Sequence, residues 1–241
     1  MKHIGILAHS AEGAALCYLT AAHEGARHMG EHMHPEITMS TVAMGEAMAL
    51  WEADDYAAIR GIFMRSAKQL AAANADFFVL PDNTAHLALE APGPDFPIPA
   101  LHIADVVAAE AKAKGFQKIG VLGTKWTMEG PVYKNALARA GLDRVIPGVA
   151  DRAFINETIF TELCSGVFSD ATRDRYVRII GDLKAEGCDA VALVCTEIPI
   201  LIPPEQSPLP TLDSTRLLAR AAVEVAVGKA PMPTWRGGPI A

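Results

Sequence analysis

The chain predicts an α/β fold made of two related lobes, each a parallel sheet wrapped by helices. Three observations carry this. Short apolar runs bounded by turn residues have the character of buried parallel strands. Alanine-rich stretches of helical period separate those runs, and alternating strand and helix implies right-handed βαβ units and doubly wound sheets. Finally, three blocks recur in the same order at nearly constant offset. Lys2-His-Ile-Gly-Ile-Leu7 resembles Gln117-Lys-Ile-Gly-Val-Leu122. Asp76-Phe-Phe-Val-Leu-Pro-Asp82 resembles Asp189-Ala-Val-Ala-Leu-Val-Cys195. Pro97-Ile-Pro-Ala-Leu101 resembles Pro208-Leu-Pro-Thr-Leu212.

In chain order, lobe one is expected to open with a strand at 4–7, where apolar residues start almost at once. A helix follows over Ala57–Asn74, then a strand at 76–81 and a third at 99–103. The helix Ala104–Lys114 crosses to lobe two. There the strands fall at 119–123, 189–194 and 209–212, with helices over Val132–Ala140 and Arg173–Glu186. Ser214–Val227 is the returning helix, and the Pro/Gly-rich tail Pro231–Ala241 is expected to be loose. The expected organisation is residues 1–102 plus 210–241 as lobe one and 103–209 as lobe two. No linker-like segment separates them.

With 241 residues, 51% of them hydrophobic, the chain can build one large domain or two compact lobes. Its net charge of −7 argues against nucleic acid or an anionic membrane as partner. A small anion can still be held by backbone N–H groups. Cys17, Cys164, Cys188 and Cys195 match no zinc spacing, and a chain this size needs no disulfide staple, so the thiols are expected reduced and the compartment cytoplasmic. No signal-type or membrane-spanning run is present. His23, His28, His32 and His34 cluster, with two at i,i+4 spacing. A zinc site would need a further ligand and enclosure, so a solvated helix face and loop is expected, with no metal.

Open α/β sheets bind ligands beyond the carboxyl ends of their strands. The ends here are Ala8-His-Ser10, Asp82-Asn-Thr84, Gly123-Thr124 and Cys195-Thr-Glu197. Asn83, Thr84, Thr124 and Thr196 are placed either to cap helices or to leave N–H groups for a carboxylate. Their repetition at equivalent ends favours a shared anion site. Cys195 stands where a thiolate is stabilised. The other cysteines sit in helix-like or pre-strand contexts and are expected to be structural. His86, four residues after Asp82, is placed to support that loop or to serve as a plain structural histidine.

Four segments carry a resemblance that runs nearly end to end. They are Pro81-Asp-Asn-Thr-Ala-His86, Val121-Leu-Gly-Thr124 with Thr127-Met-Glu129, Ile159-Phe-Thr-Glu-Leu-Cys164, and Cys195-Thr-Glu-Ile-Pro199. On them the chain is similar to the aspartate/glutamate racemase superfamily of cofactor-independent amino-acid racemases. The resemblance implies two Rossmann-like lobes related by pseudo-twofold symmetry with the active site between them. It also implies two-base proton transfer at Cα without pyridoxal phosphate or metal, and commonly a homodimer. By position, Cys195 matches the family's second catalytic cysteine and Asp82 takes the place of the first. Asn83, Thr84 and Ala85 match the substrate-carboxylate loop, with Thr124 and Thr196 opposite. Ser10 and Glu197 complete the expected substrate-binding set.

The chain departs from the family pattern in two ways. An ordinary aspartate is about four to five pK units more acidic than a thiol, hence roughly 6 kcal/mol poorer as a base. Burial would make it a usable acid. Alternatively it binds a substrate ammonium and leaves Cys195 as the one acid/base, as in a decarboxylase or isomerase of small carboxylic acids. A catalytically silent carboxylate-binding protein is the third expectation left open. The other departure is Val42-Ala-Met44, where a polar segment is common. Together with Met39, Met48 and Trp51 it suggests an apolar pocket wall, with plain core packing as the alternative.

Overall fold

The computed structural model describes residues 1–240. In chain order the main elements are β1 (Ile4–Ala8), α1 (Ala11–Met29), β2 (Ile37–Thr41), α2 (Met48–Glu52), α3 (Tyr56–Ala72), β3 (Phe77–Val79), α4 (His86–Glu90) and α5 (Ile103–Ala113). There follow β4 (Lys118–Gly123), α6 (Lys125–Glu129), α7 (Pro131–Arg139), β5 (Asp143–Val145), α8 (Val149–Thr161), α9 (Asp170–Ala185), β6 (Ala190–Val194), α10 (Ile198–Leu201), β7 (Thr211–Asp213) and α11 (Ser214–Ala226). The chain divides into two compact units. The first is Met1–Ile103 with the chain from Thr215 onward, and the second is Ala104–Ser214.

Both units carry an all-parallel sheet. The first has strand order β2-β1-β3 and the second β5-β4-β6-β7. The fold is therefore α/β with two parallel sheets. Every residue of β1, β3 and β6 is buried, as strands covered on both faces require. The duplication in the sequence is a duplication of physical parts. His3 N–H donates to the Asp76 carboxylate at 2.7 Å, and Asp76 N–H donates back to the His3 carbonyl at 2.9 Å. Lys118 N–H donates to the Asp189 carboxylate at 3.2 Å, and Asp189 N–H donates to the Lys118 carbonyl at 3.0 Å. Each acidic residue thus ties its strand to the start of the neighbouring one.

The central strands share a second device. A Cβ on Gly5 would stand 3.1 Å from Leu70 of α3, and one on Gly120 would stand 2.8 Å from Leu183 of α9. Those leucines are separated along the chain by the same interval as Asp76 and Asp189, so they too are equivalent positions of the repeat. Glycine lets a covering helix approach the sheet at that point in each unit. Helix starts follow ordinary chemistry. The Ser10, Asp55 and Ser169 side chains accept N–H groups of α1, α3 and α9, and Pro131 opens α7.

The five helices expected are present as α3, α5, α7, α9 and α11, within three residues at each end. Helices α1 and α8 and edge strands β2 and β5 add to them. Two expectations are corrected. The strand at 99–103 is reduced to a single bridge between Phe78 and Ala100. Pro97 and Pro99 lack N–H groups, and Ala100 N–H is taken by the Trp235 carbonyl at 2.8 Å. The tail is the other correction, because it is tied down. Phe96 N–H donates to the Arg236 carbonyl at 2.9 Å, Gly238 N–H to the Leu89 carbonyl at 2.8 Å, and the Trp235 ring packs on His102 and His86. Among the described residues no helix is long and apolar enough to cross a membrane.

Candidate active site

The strand ends expected to carry chemistry assemble within each unit. In the first unit β1 and β3 are neighbours, with Ile6 opposite Val79. The Ser10 end and the 82–85 loop therefore leave the same edge of one sheet. In the second unit β4 and β6 are neighbours, with Gly123 opposite Val194. Thr124 and Cys195 thus follow partnered residues and start side by side.

Asp82 is half-buried and serves as the acceptor of its own loop, taking Ala85 N–H on Oδ1 at 3.2 Å. Asn83 is buried, Thr84 half-buried and Ala85 buried. The loop is braced from behind by His86, which is fully buried. His86 Nδ1 is 2.9 Å from the Asp82 carbonyl, and Ile103 N–H donates to Nε2 at 3.2 Å. Since Nε2 must accept, the ring is neutral with its proton on Nδ1. Burial, then the neighbouring His102, holds it well below the usual imidazole range. His102 packs edge-on at 4.7 Å and pairs with Glu90 at 2.9 Å. These contacts suit both expected readings of His86, a support for the loop after β3 and a satisfied structural histidine.

Cys195 keeps partial exposure while its side chain packs against the buried cluster of the second unit. Its thiol donates to Glu197 Oε2 at 2.9 Å. Burial, then the Glu197 charge and this bond, pushes the thiol well above the ordinary range. Glu197 is itself only 5% exposed. Expected to bind substrate, it is bonded here to the thiol, a relationship the i,i+2 spacing did not reveal. Thr196 is buried. Thr124 is buried and does not cap α6 through its side chain. Its Oγ1 lies 3.4 Å from that of Thr127, whose hydroxyl donates to the Thr124 carbonyl at 2.9 Å. Ser10 does cap, accepting Gly13 N–H at 3.2 Å.

The helices after β3, β4 and β6 are only four or five residues long. Their first N–H groups are used within the chain, His86 on the Asn83 carbonyl and Ile198 on the Cys195 carbonyl, both at 3.3 Å, and Lys125 on Asn156 Oδ1 at 2.9 Å. Helices this short also lack the field of a long one. The other cysteines are also free. Cys17 and Cys188 are buried, whereas Cys164 is exposed on a short 3-10 helix, Leu163–Ser165. His28 lies in α1 and His32 beyond it. Among the described residues no group of three or more His, Cys, Asp or Glu side chains could hold a metal ion.

Comparison with known proteins agrees with this architecture. A crystal structure of a candidate Asp/Glu racemase from Yersinia pestis superposes with TM-score 0.85 at 30% identity, covering 94% of this chain and 100% of that one. An aspartate racemase homologue from Pyrococcus horikoshii OT3 gives TM-score 0.77 at 28% identity, with coverage of 94% and 100%. The broad specificity amino-acid racemase RacX of Bacillus subtilis is 24% identical over 169 residues, 70% of this chain and 73% of that protein. The family described as Asp/Glu/Hydantoin racemase matches residues 12–222. The two-unit parallel architecture and this match together establish that the chain belongs to the Asp/Glu/Hydantoin racemase family.

Proposed function

We propose that the protein is a cofactor-independent amino-acid racemase in which Asp82 and Cys195 serve opposite faces of one substrate Cα. The observation that carries this is the Cys195 thiol, hydrogen-bonded to a buried carboxylate at a strand end of a racemase-family fold. Burial and Glu197 favour the thiol, so Cys195 rests as an acid. Asp82, already an acceptor in its loop, is the complementary base. In one direction Asp82 takes the Cα proton, the electron pair moves into the substrate carboxylate as an enediolate, and Cys195 returns a proton to the other face. The resulting thiolate recovers its proton from solvent through Glu197. The reverse direction needs protonated Asp82 and thiolate Cys195, with Glu197 accepting the thiol proton. The substrate carboxylate rests on the 83–85 loop with Ser10, Thr124 and Thr196, the Ala85 N–H being shared with Asp82 Oδ1. Donors aimed at the developing charge lower the barrier. By family likeness the working form is a homodimer in the cytoplasm, and the substrate is a small amino acid.

A one-sided alternative is favoured by the same thiol. An acid held ready on one face suits an enzyme that breaks a C–C bond, releases CO2, leaves the electron pair on carbon and adds one proton from Cys195. Cα exchange separates the two. In deuterated buffer the wild type should place deuterium at Cα of an amino acid. Cys195→Ser should lower that rate by about 100-fold or more while circular dichroism shows the fold intact. Unchanged exchange in the variant would remove Cys195 from the mechanism.

A further inference from the structure

His9 is the residue that the mechanism leaves unexplained. It directly follows β1, the central strand of the first sheet, and is 4% exposed. Trp51 Nε1 lies 3.3 Å from His9 Nε2. An indole nitrogen can only donate, so Nε2 accepts and the ring proton sits on Nδ1. That Nδ1 is buried and has no hydrogen-bond partner among the described residues. A buried N–H without a protein acceptor is rare in native proteins and points to an acceptor from outside the chain. Nδ1 is bonded to Cγ, so in any rotamer it stays close to the His9 backbone. It therefore lies beside the β1–α1 turn, at the sheet edge where this fold class takes ligands.

The surroundings select the ligand's chemistry. The ring is walled by Phe63 edge-on at 5.1 Å and by Trp51 at 6.3 Å. Neutral imidazole brings no charge. The buried Arg60 on the same helix as Phe63 commits its two terminal nitrogens to the Leu89 and Pro94 carbonyls, and its Nε lies against Gly93. Helix α1 starts here, but Glu12 in its first turn offsets the attraction of its N-terminus for an anion. A carboxylate buried against a neutral donor and two aromatic rings would lose its hydration without a compensating charge. An uncharged oxygen suits this donor better.

We propose that His9 Nδ1–H recognises an uncharged hydrogen-bond acceptor on the substrate side chain, a carboxamide or hydroxyl oxygen, and so selects neutral polar amino acids over dicarboxylic ones. The substrate class rests on the proposed function, whereas the binding contact does not. Two variants dissect the ring. His9→Gln keeps an acceptor near the Nε2 position for Trp51 and removes the Nδ1 donor. His9→Asn keeps a donor near Nδ1 and gives up the Trp51 bond.

The test measures kcat and KM for Cα deuterium exchange with L-glutamine, L-glutamate and L-norleucine. For the wild type, kcat/KM should be at least about tenfold higher with glutamine than with glutamate. His9→Gln should raise KM for glutamine by about 10- to 100-fold and leave norleucine within about twofold. His9→Asn should stay within about threefold of wild type on glutamine. A preference for glutamate, or equal losses on all three substrates in both variants, overturns the proposal. Nitrogen-15 NMR of the His9 ring during glutamine titration provides a second reading. A moving Nδ1–H signal supports the contact. A signal unmoved at saturation, as for an ordered water only, refutes it. Should no amino acid exchange at all, the racemase function fails, while the NMR titration still decides the role of His9.

Discussion

The ionisation of the Cys195 thiol has two main causes, burial and Glu197, and each can be addressed separately. Burial is the larger cause of its upward shift, and Glu197 adds charge and a hydrogen bond in the same direction. Glu197→Gln removes the charge and leaves the packing. The pH midpoint for alkylation of Cys195 should therefore move down. The direction of activity change is opposite to what reactivity alone suggests. The variant thiol ionises more readily, but its proton no longer has a carboxylate to pass through, so exchange should slow by about tenfold to 100-fold. An alkylation midpoint that stays in place would mean that burial alone sets the thiol. Glu197 also shows what residue-scale sequence reading misses. Position relative to the strand end made it a substrate-binding residue. Its bond to Cys195 depends on the turn conformation after β6, which residue type and spacing do not specify. His9 was hidden in the same way, since its significance lies in Trp51, 42 residues away.

At the scale of elements, the loop after β3 is held by a buried neutral histidine, and this has a pH signature. The folded state keeps His86 unprotonated below the ordinary imidazole pKa. The unfolded chain then binds more protons than the native one as acid is added. The contribution to stability is therefore fully present above about pH 6.5 and lost as pH falls toward the depressed folded value, with a slope of at most about 1.4 kcal/mol per pH unit. The groups facing the ring are His102, paired with Glu90, and the Trp235 indole. His86→Asn should cost about 1–3 kcal/mol at neutral pH and flatten the acid slope. Urea unfolding at pH 7.5 and pH 5 measures both. An unchanged slope would place the acid sensitivity elsewhere.

The repeated acidic residues make a parallel prediction. Asp189→Ala strands the Gln117 and Lys118 N–H groups, which the carboxylate holds at 2.8 and 3.2 Å. It should lower stability by about 1–2 kcal/mol, with an effect of similar size for Asp76→Ala. A thermal unfolding series checks this, and a loss confined to one of the two would deny their equivalence. These elements were legible because hydrophobic period and internal repetition are local properties of sequence. The tail was not. Pro231–Ala241 has the composition of a loose end, yet Trp235, Arg236 and Gly238 take backbone partners at Ala100, Phe96 and Leu89. Those partners lie in the first half of the chain, beyond the reach of any local signal. The same tail covers the outer side of the bridge at Ala100, whose N–H bonds to the Trp235 carbonyl, while Pro99 C=O and Leu101 N–H face Phe78.

For the whole molecule, two copies of one strand-helix plan each bring a different ionisable group to a strand end. Asp82 and Cys195 end the same repeat block, one in each copy. A carboxylate and a thiol differ in basicity by far more than two thiols would, so the two directions of turnover should differ in rate. Asp82→Cys equalises the pair. It should bring the forward and reverse kcat values closer together and raise turnover in the slower direction. Circular dichroism and ligand binding would establish that the variant folds. A folded, binding variant with the same directional bias would count against Asp82 as the opposite base.

In the proposed mechanism two different groups handle the proton on opposite faces of one carbon. The most direct test follows both chirality and isotope in deuterated buffer, starting from a single enantiomer of an accepted amino acid. Two-base transfer predicts inverted product carrying one solvent deuterium at Cα, while unreacted substrate remains protiated at early times. Deuterium entering with retained configuration, or a single enantiomer formed with loss of CO2, would contradict it and leave Cys195 as a one-sided acid.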